Sequence, residues 1–206
     1  MMPIYYPALE QGTPEWHALR NRPTASRFGD LVTPAGKQSA SAIGYIAELL
    51  AAYYGNHKPF FVTEAMQNGT DREPAARDLY EIITGNTVNQ VGFVIARDEP
   101  FAPGCSPDGL VGDDGGIEIK SPEPWTHMQT IIEGKMPSKY IAQTQGFLFV
   151  TGRQWVDFVS YCPLYPAQHQ IFIERQYRDE KYIAALYAAT ASAQELLIKH
   201  TQEIEP

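Results

Sequence analysis

The chain has 206 residues, 44% of them hydrophobic and 19% charged, which supports a packed core and excludes a disordered or fibrous polypeptide. Sixteen Lys and Arg against 24 Asp and Glu leave a net charge of −8, so no overall basic character advertises nucleic acid. Two cysteines, Cys105 and Cys162, exclude a disulfide scaffold, a four-cysteine zinc site and a four-cysteine iron–sulfur cluster.

The first residues, Met-Met-Pro-Ile-Tyr-Tyr-Pro, have neither the basic region nor the apolar run of a signal peptide. No apolar stretch approaches the roughly 20 residues that cross a bilayer. The expectation is a soluble, cytoplasmic chain without membrane contact. No repeat or low-complexity linker divides it, which predicts one domain over 1–206: a helical part to about 85, a sheet core over about 86–177 and a C-terminal helix over about 178–206.

Pro14 to Leu19 reads as a short helix, and Thr24 to Leu31 as another, capped at Thr24. Ser39 or Ser41 caps a longer helix to about Tyr54, with Ile43, Ile46, Ala47, Leu50 and Ala51 on its apolar face. A further helix spans about Asp71 to Ile83, with Pro74 in its first turn and Gly85 just past its end. The period then changes to extended. Thr87 to Ala96 and Ala102 to Val111 read as strands, Asp113-Asp114-Gly115-Gly116 as a turn, and Gly116 to Lys120 as an alternating strand. A helix over Ser138 to Val150, strands over Arg153 to Tyr161 and His169 to Tyr177, and a helix over Asp179 to His200 complete the chain. This order predicts an α/β sandwich, a mixed central β-sheet flanked by helices.

Charge is uneven along the chain. Residues 1–60 carry five Lys/Arg against four acids, whereas 61–100 carry three against seven. A less acidic N-terminal segment suits an anionic ligand, and an acidic middle suits a divalent cation. Just beyond it, in 101–173 with four Lys/Arg against seven acids, Ser106-Pro107-Asp108-Gly109-Leu110 precedes the turn and Ile117-Glu118-Ile119-Lys120 follows it. If the hairpin closes near Asp113, Asp108 lies directly opposite Glu118; if it closes two residues later, the pair is displaced onto neighbouring positions. Glu118 and Lys120 share a face in either case. Two carboxylates and an amine at one sheet edge suit phosphodiester hydrolysis. Mg²⁺, or Mn²⁺ in its place, takes oxygen ligands such as Asp108, Glu118 and the Ile119 carbonyl, polarises a phosphoryl oxygen and acidifies a water. The lysine positions or deprotonates that water and offsets developing charge.

Other polar residues read as ordinary helix chemistry when taken singly. Glu73 follows Thr70 at capping-box spacing, and Arg77 stands four from both Glu73 and Glu81. Gln143 is a mid-helix glutamine, Arg20 an exposed helix residue and Trp16 a core residue. The histidines form no HxH or HExxH pattern, so no zinc site is expected.

Taken together these stretches form a series. Pro107-Asp108, ten residues, then Glu118-x-Lys120 resembles the PD-(D/E)xK nuclease signature. Trp16-His17-Ala18-Leu19-Arg20 with Thr24-Ala25-Ser26, Gly69-x3-Glu73-x2-Ala76-Arg77-x2-Tyr80-Glu81, and Tyr140-Ile141-Ala142-Gln143-Thr144-Gln145 resemble, in order, further motifs of the phage lambda exonuclease and YqaJ-type viral recombinase family. The resemblance implies a restriction-endonuclease-like PD-(D/E)xK core. It also implies a metal-dependent exonuclease that degrades one strand of linear double-stranded DNA from its 5′ end.

In the implied site Asp108 and Glu118 hold the metal, with Glu73 helping to hold metal or water. Lys120 activates water, and Gln143 reaches in from the neighbouring helix. Arg20 clamps the DNA 5′-phosphate, with Ser26 and Ser106 as hydroxyl donors. The family further implies a homotrimeric ring, a single-strand annealing protein as partner, and phage or prophage origin in a bacterial cytoplasm. One departure stands out: Ser121 to His127 contains no arginine where the prototype has one that grips the phosphate. The alternatives are a restriction-type endonuclease, which would cut closed circles, and an inactive DNA-binding recombination adaptor, which would show no metal-dependent cleavage.

Overall fold

The computed structural model describes residues 2–58 and 63–202. Five strands build the main sheet: β2 (Val88–Asn89), β5 (Gly109–Val111), β6 (Gly115–Lys120), β7 (Trp155–Tyr161) and β8 (Ile171–Tyr177), in the order β2-β5-β6-β7-β8. β6 and β7 are parallel and the other neighbours antiparallel, so the sheet is mixed as predicted. The parallel pair requires a crossover, supplied by α4 (Pro124–Glu133) and α5 (Ile141–Thr151). A second, antiparallel sheet joins β1 (Ile4–Tyr6), β3 (Phe93–Ile95) and β4 (Gly104–Cys105).

Both faces of the main sheet are covered. On one lies α3 (Glu64–Thr84), whose Ala76 and Tyr80 pack with Ile117, Ile119, Val159 and Tyr161. On the other lies α5, where Phe147 and Leu148 join the larger cluster with α2 (Ala42–Tyr53) and α6 (Glu180–Gln202). Gly116 is what lets β6 approach α5, because a Cβ there would stand 2.2 Å from the Phe147 ring. Glu118 sits two residues on, on that same α5 side.

Several predicted elements shift. Thr87 to Ala96 and Ala102 to Val111 are each two short strands, one in each sheet, rather than single strands. The first breaks at Gly92, which lies so close to the Leu9 carbonyl that a Cβ would be 1.7 Å from it. The second breaks at Ser106-Pro107-Asp108, where Pro107 has no N–H for a ladder. Asp108 therefore occupies the point where the chain leaves one sheet for the other.

Among the helices, α1 (Pro14–Leu19) forms as predicted, with the Thr13 hydroxyl accepting from Trp16 N at 3.3 Å. Residues Ala25–Asp30 form a 3-10 helix, a common form for so short a segment, and Thr24 gives no side-chain cap. α2 buries Ala42, Tyr45, Ile46 and Leu49, whereas Ile43 of the predicted face is 68% exposed. Tyr45 wins the inward position because its hydroxyl accepts from Thr24 N at 3.1 Å. α3 begins seven residues before the predicted start, capped by Thr63, which places Pro74 in its interior. α4 has no predicted counterpart, since its buried side is polar, His127 and Thr130. Among the described residues no helix is long and apolar enough to cross a membrane. Residues 203–206 of the predicted C-terminal part lie outside the described residues.

Candidate active site

The β5–β6 hairpin pairs Gly109 with Ile117, Leu110 with Gly116 and Val111 with Gly115. This is the tighter of the two closures, and its register, extended by one residue, sets Asp108 across from Glu118. Asp108 Oδ2 accepts from Ile119 N at 2.6 Å. Lys120 Nζ donates to Glu118 Oε1 at 2.5 Å. Gln143 Nε2, projecting from α5, donates to the same oxygen. The Lys120 ammonium also stands 5.7 Å from the centroid of the Tyr140 ring, just before α5.

Burial sets the electrostatics of this group. Glu118 is only 3% exposed, and its carboxyl is pushed up to about 7 by desolvation, with Asp108 and Glu73 adding like charge against the pull of Lys120. Desolvation and the Asp108 charge also push Glu73 up to about 7, outweighing Arg77 and Lys120. Asp108 is raised by desolvation too, against Lys120, the Ile119 N–H and Arg77. Burial alone would lower Lys120, but Glu118 and Asp108 hold it above the ordinary lysine value. The two carboxyl groups thus favour Lys120 as an ammonium, a donor and a positive charge beside the acids.

Glu73 reaches the group from α3, where its carboxylate pairs with Arg77. The capping-box reading fails: α3 starts at Glu64, and the Thr70 hydroxyl donates inside the helix to Met66 O at 3.3 Å. Three carboxyl groups, all raised, face Lys120 and Arg77; fully ionised they outnumber those two cations, which is the condition a bound cation relieves. Among the described residues no three His, Cys, Asp or Glu side chains converge as a ready-made cage. The oxygen donors that could hold an ion here are the two carboxylates, Asp108 and Glu118, and the sequence-predicted Ile119 carbonyl. That oxygen set fits a hard divalent ion that keeps several waters.

A second cluster is tied to the chain just ahead of Asp108. The Arg20 guanidinium lies 4.3 Å from the centroid of the Trp16 ring, and its Nη2 donates to Ser26 Oγ at 3.4 Å. Trp16 Nε1 donates to Ser106 Oγ at 3.0 Å, two residues ahead of Asp108. Burial lowers the Arg20 pKa, and its electrostatic neighbours are Tyr45 and Arg27 rather than a carboxylate. The fold thus gathers Arg20, Ser26 and Ser106 from three places in the sequence. Trp16, predicted as core, does both jobs: one side packs on Phe93, Ile95 and Ala102, and its N–H points to Ser106. Two residues beyond the predicted site also touch this group: Tyr140, three residues before Gln143, and Arg77, whose i,i+4 spacing to Glu73 is visible in the sequence.

Residues 15–154 match the family model of the YqaJ-like viral recombinase domain. Among solved structures, an alkaline exonuclease (LHK-Exo) from Laribacter hongkongensis superposes with a TM-score of 0.83 at 40% identity, over 93% of this chain and 96% of that one. LHK-Exo in complex with dAMP gives the same TM-score and coverage at 41% identity. A phage-related exonuclease from Haemophilus somnus 129PT shares the fold, with a TM-score of 0.69 at 16% identity over 89% of this chain and 96% of that one. No curated protein matches the chain.

Proposed function

This chain belongs to the YqaJ-like viral recombinase domain family, and on that premise we propose that it is an Mg²⁺-dependent exonuclease. In this reading it degrades one strand of linear duplex DNA from the 5′ end and leaves the 3′ strand for recombination by annealing. One observation carries the reading. Asp108, Glu118 and Lys120 meet at the C-terminal end of β6, the middle strand of the sheet rather than its edge, and Ser106, which Trp16 ties to the Arg20–Ser26 group, lies two residues before Asp108.

Nucleases of the PD-(D/E)xK type generally use divalent metal ions. A bound Mg²⁺ supplies Lewis acidity at the phosphoryl oxygen and an acidified water. Asp108, Glu118 and the Ile119 carbonyl would hold it, and Glu73 would hold metal or water from α3. Gln143 fixes the Glu118 rotamer by donating to Oε1. The Lys120 ammonium orients the attacking water and offsets charge developing on the phosphorus oxygens. The Arg20 fork, with the Ser26 and Ser106 hydroxyls, takes the terminal 5′-phosphate and sets the first phosphodiester at the acids. The dAMP held by LHK-Exo is of the class such a reaction releases, a deoxynucleoside monophosphate.

A net charge of −8 requires the basic groups to line one surface, which a closed homotrimeric ring around DNA accomplishes. Its partner in this reading is a single-strand annealing protein of phage type in the host cytoplasm. The test compares linear with closed circular duplex, in Mg²⁺ or EDTA, over time. Loss of linear DNA in Mg²⁺ only, with intact circles, is expected. Cleavage of circles would indicate a restriction-type endonuclease, and no cleavage at all an inactive adaptor.

A further inference from the structure

Arg77 has more partners than a helix-surface pair requires. Its side chain is 13% exposed, against 30% for Glu73, so the pair lies largely inside the protein. One Nη donates to the Glu73 carboxylate one turn back on α3. With the Gln90 amide turned so that its oxygen faces the guanidinium, that oxygen accepts from Nη2 at 2.8 Å and Nη1 at 2.6 Å. Gln90 lies between β2 and β3, at the junction of the two sheets, so the guanidinium ties α3 to a separate part of the fold. Its Nε–H is buried and has no partner. An unpaired buried donor is unfavourable, and a pair serving only helix stability gains nothing from one. Arg77, Glu73, Thr70, Gln90 and Leu9 line a cleft of about 450 Å³ beside α3.

We propose that Arg77 is a positioning residue, holding the Glu73 carboxylate toward Asp108 and Lys120 so that Arg77 acts on the reaction only through Glu73. A planar guanidinium anchored by Gln90 on one edge leaves the other edge in a fixed place, and the Glu73 rotamer follows it. A lysine at this position would keep the charge without the fork. The inference rests on the reading of Glu73 as a holder of metal or water.

The test is a double-mutant cycle on the full-length chain with Glu73→Gln, Arg77→Gln and both together. Single-turnover degradation of linear duplex, calorimetric Mg²⁺ binding without DNA, and urea unfolding are the three readouts. With Glu73 intact, Arg77→Gln should lower both rate and Mg²⁺ affinity by about tenfold, the lower end for a group that orients a metal ligand. On the Glu73→Gln background it should change either by less than about twofold. Arg77→Lys, the variant to use should Arg77→Gln not fold, should recover only part of the loss. Equal losses on the two backgrounds, or full recovery with lysine, would overturn the proposal and indicate direct DNA contact or a bulk charge effect. If Glu73→Gln by itself changes neither rate nor Mg²⁺ affinity, it is the Glu73 reading that fails, and the proposal falls with it.

Discussion

Lowering the pH from 8 to 6 should weaken Mg²⁺ binding through the two raised glutamates. Glu118 is pushed up to about 7 by burial, helped by Asp108 and Glu73. A ligand with that pKa is about nine-tenths ionised at pH 8 and about one-tenth at pH 6, so affinity falls about tenfold through Glu118 alone. If Glu73, also near 7, must ionise as well, the loss approaches about a hundredfold. Lys120 stays charged throughout and contributes no slope. The same protons govern stability without metal. The folded carboxyl of Glu118 stands near 7 against an ordinary 4.5, so the folded state holds a proton that the unfolded chain has released. This contribution is complete below about 4.5 and is lost as pH rises through 7. Metal-free protein should therefore melt at lower temperature at pH 8 than at pH 5.5, and Mg²⁺ should restore more at pH 8. Calorimetric titration in two buffers of different ionisation heat reads affinity and proton release together. Mg²⁺ affinity that is flat from pH 6 to 8, with no protons released, would refute the account of the acids.

Other variants test single residues. Lys120→Ala should slow single-turnover cleavage by roughly 100-fold or more with DNA still bound, and Lys120→Arg should not rescue it, because the guanidinium is bulkier and differently directed. A rate within a few-fold of wild type would reduce Lys120 to a strand residue. Arg20→Ala should remove the preference for 5′-phosphorylated over 5′-hydroxyl ends, a preference of about 1–3 kcal/mol for a charged hydrogen bond. Rates on the two end types decide it, and a mutant that keeps the preference contradicts the clamp. Asp157 is 2% exposed; it accepts from Tyr80 Oη at 2.7 Å and from Arg175 Nε and Nη2 at 2.8 and 2.9 Å. Asp157→Ala leaves the buried Tyr80 hydroxyl without its acceptor, while the half-exposed Arg175 can turn to water, and should cost about 1–3 kcal/mol in urea unfolding.

The core of the site was legible because a hairpin turns spacing into geometry. Asp113-Asp114-Gly115-Gly116 marks the reversal, and period-two alternation then places Asp108, Glu118 and Lys120 without knowledge of the rest of the fold. What the pattern hides is the sheet to which a strand belongs. Thr87 to Ala96 looks continuous, yet Gly92 sends its halves to different sheets by a contact with Leu9, more than 80 positions away. The helix α4 escapes notice because its inward residues are His127, bonded to Ser160 at 2.8 Å, and Thr130 rather than an apolar stripe. On α2, a tyrosine with a hydroxyl partner displaces the more apolar Ile43 from the interior. The Arg77 pairing with Glu73 is visible at i,i+4 spacing, but its anchor on Gln90 is tertiary and leaves no local signal.

The central claim is that Asp108 and Glu118 hold a divalent cation for phosphodiester hydrolysis, and Glu118→Gln tests it most directly. The substitution keeps size and removes the charge. The measurement is mononucleotide release from linear duplex, for wild type and variant side by side, across a Mg²⁺ titration with an EDTA control. Wild type should saturate with Mg²⁺ and stop in EDTA. The variant should be slower by about 100-fold or more even at high Mg²⁺, while its folding stability without metal holds or rises as repulsion with Asp108 and Glu73 is relieved. Release that persists in EDTA, or a folded Glu118→Gln protein with near-normal activity, would contradict it.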